Sequence, residues 1–293
     1  MTTPLIALMV MLAFSTVARA QDFWRHWGDG KAELDGYALT EPRYGQPRAG
    51  TAVLIFVTED FSDSLRVKAD PGKHPPSDVY PVLKLNVSRE FQTGIYHYNV
   101  LSSTFVRADD LSLAKTSFSA QEWCGHVYEQ WLPRGDRLIG AAHSYFDGEA
   151  DQSPSLEWPK GAIVEEQLPI LVRDLRGPWL KPGESRSMPF LPSSLRSRFA
   201  HRPRQWTQAR VTRSSESKEV ATALGRLRAF TYTIEADNVT TSFTVEDPWP
   251  HRLLSWQSSD GESARILGST RQPYWIEHAN GDEKYLKLLG IKR

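Results

Sequence analysis

The sequence predicts a mainly β protein, a curved antiparallel sheet or half-barrel carrying one or two short helices. Three observations predict it. Short apolar and β-branched runs alternate with polar residues at a period of two, Gly, Pro, Asp and Asn punctuate those runs, and a single window keeps helical spacing.

Taken in order, the runs predict strands over 32–39, 52–58, 64–67, 79–87, 94–106, 117–130 and 137–145, the last four long and adjacent. From Trp158 the pattern changes. Ile163, Val164, Leu168, Leu171, Val172 and Leu175 recur at three- and four-residue spacing and predict one amphipathic helix, with Pro169 kinking it or delaying its start. Pro178, Pro182, Pro189, Pro192 and Pro203, mixed with Ser and Arg, read as loop or linker, so a possible internal boundary lies near 176–204. Strands resume over 205–212, 228–235, 240–245, 252–258, 262–270 and 284–289, with a short helix or turn at 217–224. Ala236-Asp237-Asn238 and Ser259-Asp260-Gly261 have tight-turn composition.

The N-terminus carries an apolar run from Leu5 to Phe14 followed by Ala18-Arg19-Ala20, an A-x-A site that predicts cleavage before Gln21. No Lys or Arg precedes the run, so the α-amino group alone supplies the positive end. The run falls short of the roughly 20 apolar residues that a spanning helix needs. The expected organisation is therefore a signal peptide over 1–20 and a β-rich exported domain over 21–293, periplasmic or secreted, with no transmembrane helix after cleavage. Lys+Arg and Asp+Glu both number 35, giving a net charge of +0, which speaks against a nucleic-acid partner. Cys124 is the single cysteine, so no disulfide forms within the chain and the fold rests on its core. The ten Trp, ten Tyr and twelve Phe either fill that core or line a concave face of the sheet.

The sharpest chemical feature is the segment Ser119-Ala-Gln-Glu-Trp-Cys-Gly-His126. If it is a strand, Glu122, Cys124 and His126 share one face, about 6–7 Å between neighbours. Two uses follow. The three are candidate catalytic residues of a hydrolase, although i,i+2 neighbours on a strand are poorly placed for the hydrogen bond a thiol nucleophile needs. Cys124 and His126 are also candidate metal ligands, half of a tetrahedral zinc shell, with His97 or His143 as a further ligand from elsewhere. The alternative is a buried thiol and a hydrogen-bonded histidine. Acidic residues at strand ends, Glu59-Asp60 and Asp147 with Glu149, admit a glycosidase pair but more readily serve turns. Arg196, Arg198, His201, Arg202, Arg204, Arg210 and Arg213 form a basic, proline-punctuated stretch that reads as a solvated loop or as a face toward an anionic surface. Phosphate loops, G-x-S-x-G elbows and H-E-x-x-H motifs are absent, and the cofactor is left unknown.

The E-W-C-G-H segment, with Val53-Leu-Ile-Phe-Val-Thr-Glu-Asp60, Val82-Leu-Lys-Leu-Asn86 and Thr93-Gly-Ile-Tyr96, resembles a family of exported bacterial proteins of unknown function. Its members often carry the label "septum formation inhibitor Maf". Maf proteins themselves are cytoplasmic nucleotide pyrophosphatases of α/β fold with a short basic N-terminal motif, features this chain does not share. The C-terminal quarter, with Phe243-Thr-Val-Glu-Asp-Pro248, Pro250-His-Arg-Leu-Leu-Ser-Trp256 and Asp260-Gly261, resembles exported β-sheet proteins grouped as DUF3108-like, which implies a curved antiparallel sheet like half a barrel. The sequence thus supports two functional expectations. One is an envelope protein holding a hydrophobic or amphipathic ligand, a lipid or glycan, in a concave sheet. The other is a hydrolase or metal-dependent enzyme centred on Glu122, Cys124 and His126.

Overall fold

The computed structural model describes residues 22–291, so the expected signal peptide over 1–20 and the mature start at Gln21 lie outside the described residues. A short helix over 22–27, α1, leads into the first half of one large sheet. That half is a meander: β1 (Ala32–Arg43), β2 (Gln46–Ser62), β3 (Val79–Thr93), β4 (Tyr96–Arg107), β5 (Leu113–Glu122), β6 (Gly125–Arg134), β7 (Arg137–Ser144) and β8 (Ser155–Glu157). Then come β9 (Ile163–Val164), a 3₁₀ turn over Glu165–Gln167, α2 (Leu168–Leu171), β10 (Ser185–Leu191) and α3 (Ser194–Phe199). The second half closes with β11 (Thr207–Arg213), β12 (Lys218–Thr222), β13 (Gly225–Ala236), β14 (Val239–Glu246), β15 (Leu253–Ser258) and β16 (Ser263–Gln272).

The 16-stranded sheet runs β8-β7-β6-β5-β4-β3-β2-β1-β16-β15-β14-β13-β11-β10-β9, with β12 on β13. Its middle is the antiparallel pairing of β1 with β16, and the only parallel pair among the described strands is β9 with β10. The mainly β, curved antiparallel sheet expected from the sequence is what the chain forms. Between its two ends, β8 and β9, no ladder runs among the described residues. Side chains bring them together instead: Leu156 of β8 packs in one cluster with Val164 and Leu191, and Trp206 Nε1 donates to the Glu157 carbonyl at 2.8 Å.

Rolling the sheet gives it an inside, and alternation decides what faces it. Phe56 and Leu85, facing each other across β2 and β3, join Val211, Ile234 and Phe243 of the other half in a single core. Leu168, Ile170 and Val172 plug this core from α2 and its end. Each fully buried Phe or Leu there is worth roughly 1.5–3 kcal/mol. The opposite face of β1 is covered too, by Leu286 and Leu289 of a 3₁₀ helix over Asp282–Leu289, which pack with Leu34 and Val57. Gly36 and Gly268 oppose each other across β1 and β16, and a Cβ on either would meet the backbone of Leu288 or Leu289. Gly36→Ala is therefore expected to lift this helix off the sheet at a cost of about 1–3 kcal/mol. Hydrogen exchange checks it: amides of 282–289 should exchange faster while those of β1 and β16 stay protected.

Several expected elements are corrected. The single strand over 117–130 is two strands, because the chain reverses at Trp123-Cys124 and Glu122 pairs with Gly125. The 64–67 strand is a turn, with Arg66 left-handed at φ 58° and Ser62 and Ser64 gathered on the Asp78 carboxylate. The expected helix over 163–175 is reduced to two strand residues, a 3₁₀ turn and the four residues of α2. The 217–224 helix or turn is β12, folded back on β13 through Gly225 at φ 110°. The 284–289 strand is the 3₁₀ helix just described. The proline-punctuated stretch 176–204 supplies β10 and α3, with Met188 and Phe190 in the shared core.

Candidate functional site

Because neighbouring strands alternate in direction, the β1–β2, β3–β4, β5–β6, β13–β14 and β15–β16 turns lie at one end of the roll, together with α3. A cleft of about 550 Å³ opens there. Leu168, Phe190, Leu195 and Ile234 form apolar wall, and Glu41, Arg43, Arg196 and Glu262 supply charge. A smaller pocket of about 80 Å³, with Leu54, Val87, Phe243 and Trp256 in its lining, shares Leu195, Arg196, Thr241 and Glu262 with the cleft.

The wall is built by α3. Ser193 begins it with extended dihedrals and its hydroxyl accepts from the Arg196 amide at 3.3 Å, an ordinary N-cap. Glu165 and Glu166 reach across to accept the amides of Ser193 and Ser194, both at 2.8 Å, satisfying donors that a helix start leaves free. The arginines then face inward. Arg204 is 1% exposed and binds Glu166 at 2.8 Å, the Ser194 hydroxyl at 3.0 Å and the Pro192 carbonyl at 2.7 Å. Arg198 bridges Glu129 on β6 and Glu149, the latter at 2.9 Å. The solvated-loop reading of this basic stretch is thus corrected for Arg196, Arg198 and Arg204. Each has carboxylate partners contributed by distant parts of the chain, which offsets the cost of burial.

Arg196 is the hub at the cleft floor, held by Glu165 at 2.7 Å, by Asp260 and by Glu262 at 3.5 Å. Arg89 of β3 continues the chain of charges, pairing with Glu41 at 2.7 Å and Glu262 at 2.8 Å, and Trp256 Nε1 donates to Glu262 at 2.7 Å. Burial pushes the Glu41 carboxyl up to about 7, Glu262 adding to the rise and Arg89 opposing it. The folded protein therefore holds more protons than the unfolded chain between roughly pH 4.5 and 7, and stability falls as pH rises through that window. In Glu41→Gln this component disappears. The expected result is that the melting temperature of the wild type drops more steeply than that of the variant between those limits, the gap reflecting up to about 3 kcal/mol.

The residues singled out by the sequence sit elsewhere on the same end. Trp123 and Cys124 form the tip of the β5–β6 hairpin, where Cys124 is exposed and its amide donates to Glu122 at 2.7 Å. A hydrogen bond from the thiol to Glu122 raises the Cys124 pKa, which works against nucleophilic use. His126 stands beyond the turn opposite Gln121, so it does not share a strand face with Glu122 and Cys124. His97, at the β3–β4 turn, pairs with Gln92 at 3.3 Å. Among the described residues no group of three His, Cys, Asp or Glu is placed to hold a metal ion, so Cys124, His126 and His97 are not gathered into one. Of the acidic residues, Glu59 binds Lys84 and Glu149 binds Arg198 and His201. Exposure of Cys124 predicts complete reaction with Ellman's reagent without denaturant, and Cys124→Ser should leave stability within about 0.5 kcal/mol.

Glu41, Arg43, Glu165 and Glu262 of the cleft, and Arg89 of the smaller pocket, are marked by no motif in the sequence. One signal pointed their way: the pair Glu165-Glu166 and the arginines of 196–204 have complementary charge across a short apolar and proline-rich interval.

No family model matches the chain, and no curated protein matches it. Among solved structures, a beta-barrel-like protein of the domain of unknown function DUF1849 from Brucella abortus aligns over 82% of this chain and 97% of its own, at 8% identity and a TM-score of 0.49.

Proposed function

We propose that the protein is an exported, non-enzymatic binding protein of the cell envelope that takes the apolar part of an amphipathic ligand, a lipid in preference to a glycan, into the open end of its rolled sheet. The observation that carries this reading is the cleft itself. Its volume of about 550 Å³ falls within the range of small-molecule sites, and apolar wall leads from a charged lip toward an inner pocket. Glycan sites rely on broad hydrogen-bonding surface beside aromatic rings, whereas here the buried carboxylates of the floor are already engaged by arginines. The apolar N-terminal run with Ala18-Arg19-Ala20 supports an envelope location.

The test uses an environment-sensitive amphiphile, anilinonaphthalene sulfonate, titrated into the native protein. Saturable fluorescence gain at one site is expected in the wild type. Ala200→Trp, which adds bulk at an exposed position lining the cleft, should weaken binding by at least about tenfold with an unchanged melting temperature. Equal binding by both proteins would place the dye elsewhere and overturn the reading.

A further inference from the structure

The ion pairing around the cleft bears on the charge of the ligand's head group. The lining contains the carboxylates Glu41, Glu165, Asp260 and Glu262, which at first sight favour a cation. Four carboxylates share two guanidiniums there, Glu41 and Glu262 on Arg89 and Glu165, Asp260 and Glu262 on Arg196, so an incoming cation would have to displace an arginine. Asp237 lies exposed on the β13–β14 turn, where solvent screens it.

Arg43 is different. It ends β1 at the lip of the cleft, with its guanidinium 4.4 Å from the ring centroids of both Tyr44 and Phe199 and 5.4 Å from that of Tyr98. Its Nη1 donates to the Phe199 carbonyl at 2.9 Å and its Nε to the Tyr98 hydroxyl at 3.3 Å. Ring faces, a carbonyl and a phenol fix the guanidinium in position without neutralising it. Nη2 also reaches the Tyr44 hydroxyl at 3.5 Å, so of the five N–H donors in the planar fork one on each Nη is left for a ligand. Arg202, exposed and also lining the cleft, adds a second cation.

We propose that the cleft takes an anionic amphiphile, one apolar chain ending in a carboxylate, phosphate or sulfate, with Arg43 as the head-group anchor and Arg202 as a supporting cation. This rests on the binding reading above and adds the head-group class. A pre-positioned, incompletely hydrated guanidinium binds such an anion through charge-assisted hydrogen bonds, stronger than those it makes to a neutral hydroxyl. The chain then runs down the wall of Leu195, Phe190 and Leu168.

The experiment compares three probes of equal chain length, decanoate, decanol and decyltrimethylammonium, by displacement of the dye from the wild-type protein below their micelle concentrations. Decanoate is expected to bind about tenfold more tightly than decanol, with the cation weakest. Arg43→Gln should erase the preference for decanoate while decanol still binds, Arg43→Lys should restore part of it, and Arg202→Gln should reduce it a few-fold. If decanol matches decanoate, or the cation binds tightest, the head-group assignment is overturned while the amphiphile site stands. If none of the three displaces the dye, both fall. The wild-type ranking alone decides the matter should Arg43→Gln fail to fold.

Discussion

Arg173→Ala is expected to destabilise the protein by about 3–5 kcal/mol, because it strips the partner from a buried charge. The Arg173 side chain is 0% exposed and meets Glu33, 1% exposed, at 2.7 Å. It also donates to the carbonyls of His251 and Pro250 at 2.9 and 3.0 Å and lies 4.4 Å from the ring centroid of Phe56. Burial alone would raise the Glu33 carboxyl, but Arg173 and His26 outweigh it and hold it down at about 2. In the wild type that depressed value contributes stability above the unfolded carboxylate range, lost only as pH falls toward 2. Without Arg173 the buried Glu33 gains by taking up a proton. Urea unfolding should therefore show a wild-type-to-variant gap that is widest at neutral pH and narrows by more than about 1 kcal/mol toward pH 4. Arg173→Met should cost nearly as much as alanine, since volume is not what is missing. The double change Arg173→Met with Glu33→Gln should recover most of the loss. A gap that does not change with pH would show that the arginine acts through packing alone.

The second large effect is expected at Glu129→Leu. Glu129 points inward from β6 and accepts from the Trp131 indole, from the Ser194 hydroxyl at 2.9 Å and from Arg198, all in the interior. Leucine suits the site's hydrophobicity but leaves an indole N–H without its acceptor and Arg198 with a single carboxylate, costing at least about 3 kcal/mol. The loss is directional, because these bonds tie α3 to the sheet. Limited trypsin digestion should cut within 196–204 well before the variant unfolds globally, whereas the wild type resists there. Cleavage spread evenly over the chain at the unfolding midpoint would argue that α3 is not separately held.

Strand positions were legible in the sequence because period-two alternation survives in nearly every element, from β1 through β16. What alternation could not reveal is which face is inside. On β1, Glu33, Asp35 and Glu41 point into the roll and Leu34 points away, onto Leu289 of the C-terminal helix, which reverses the usual assignment of polar residues to solvent. The stretch 176–204 failed for a related reason. Its proline, serine and arginine content is that of a solvated linker, and the partners that permit its burial come from far along the chain: Arg196 finds Glu165 31 residues away and Arg198 finds Glu129 69 away. Pairings at such separations leave no periodicity. The Trp123-Cys124 reversal escaped notice because it lacks the Asn-Gly or Gly-Gly signal of a two-residue turn and relies on the Glu122 side chain to accept the Cys124 amide. The cleft, assembled from the ends of both sheet halves, has no one-dimensional trace beyond the acidic and arginine segments that form its wall.

The pairing of β1 with β16 in the middle of the sheet also sets a timetable for biosynthesis. The hydroxyl of Tyr37 waits for a carbonyl 216 residues further on, that of Leu253, and β16 follows later still. At elongation rates of roughly 5–20 residues per second, that interval lasts on the order of ten to forty seconds. Throughout it the meander β1 to β7 has a bare inner surface and an unmatched leading edge. A nascent chain in this state is a client for holding factors, and a premature stop before β16 leaves two open strand edges, on β1 and β15, where the finished molecule has its centre.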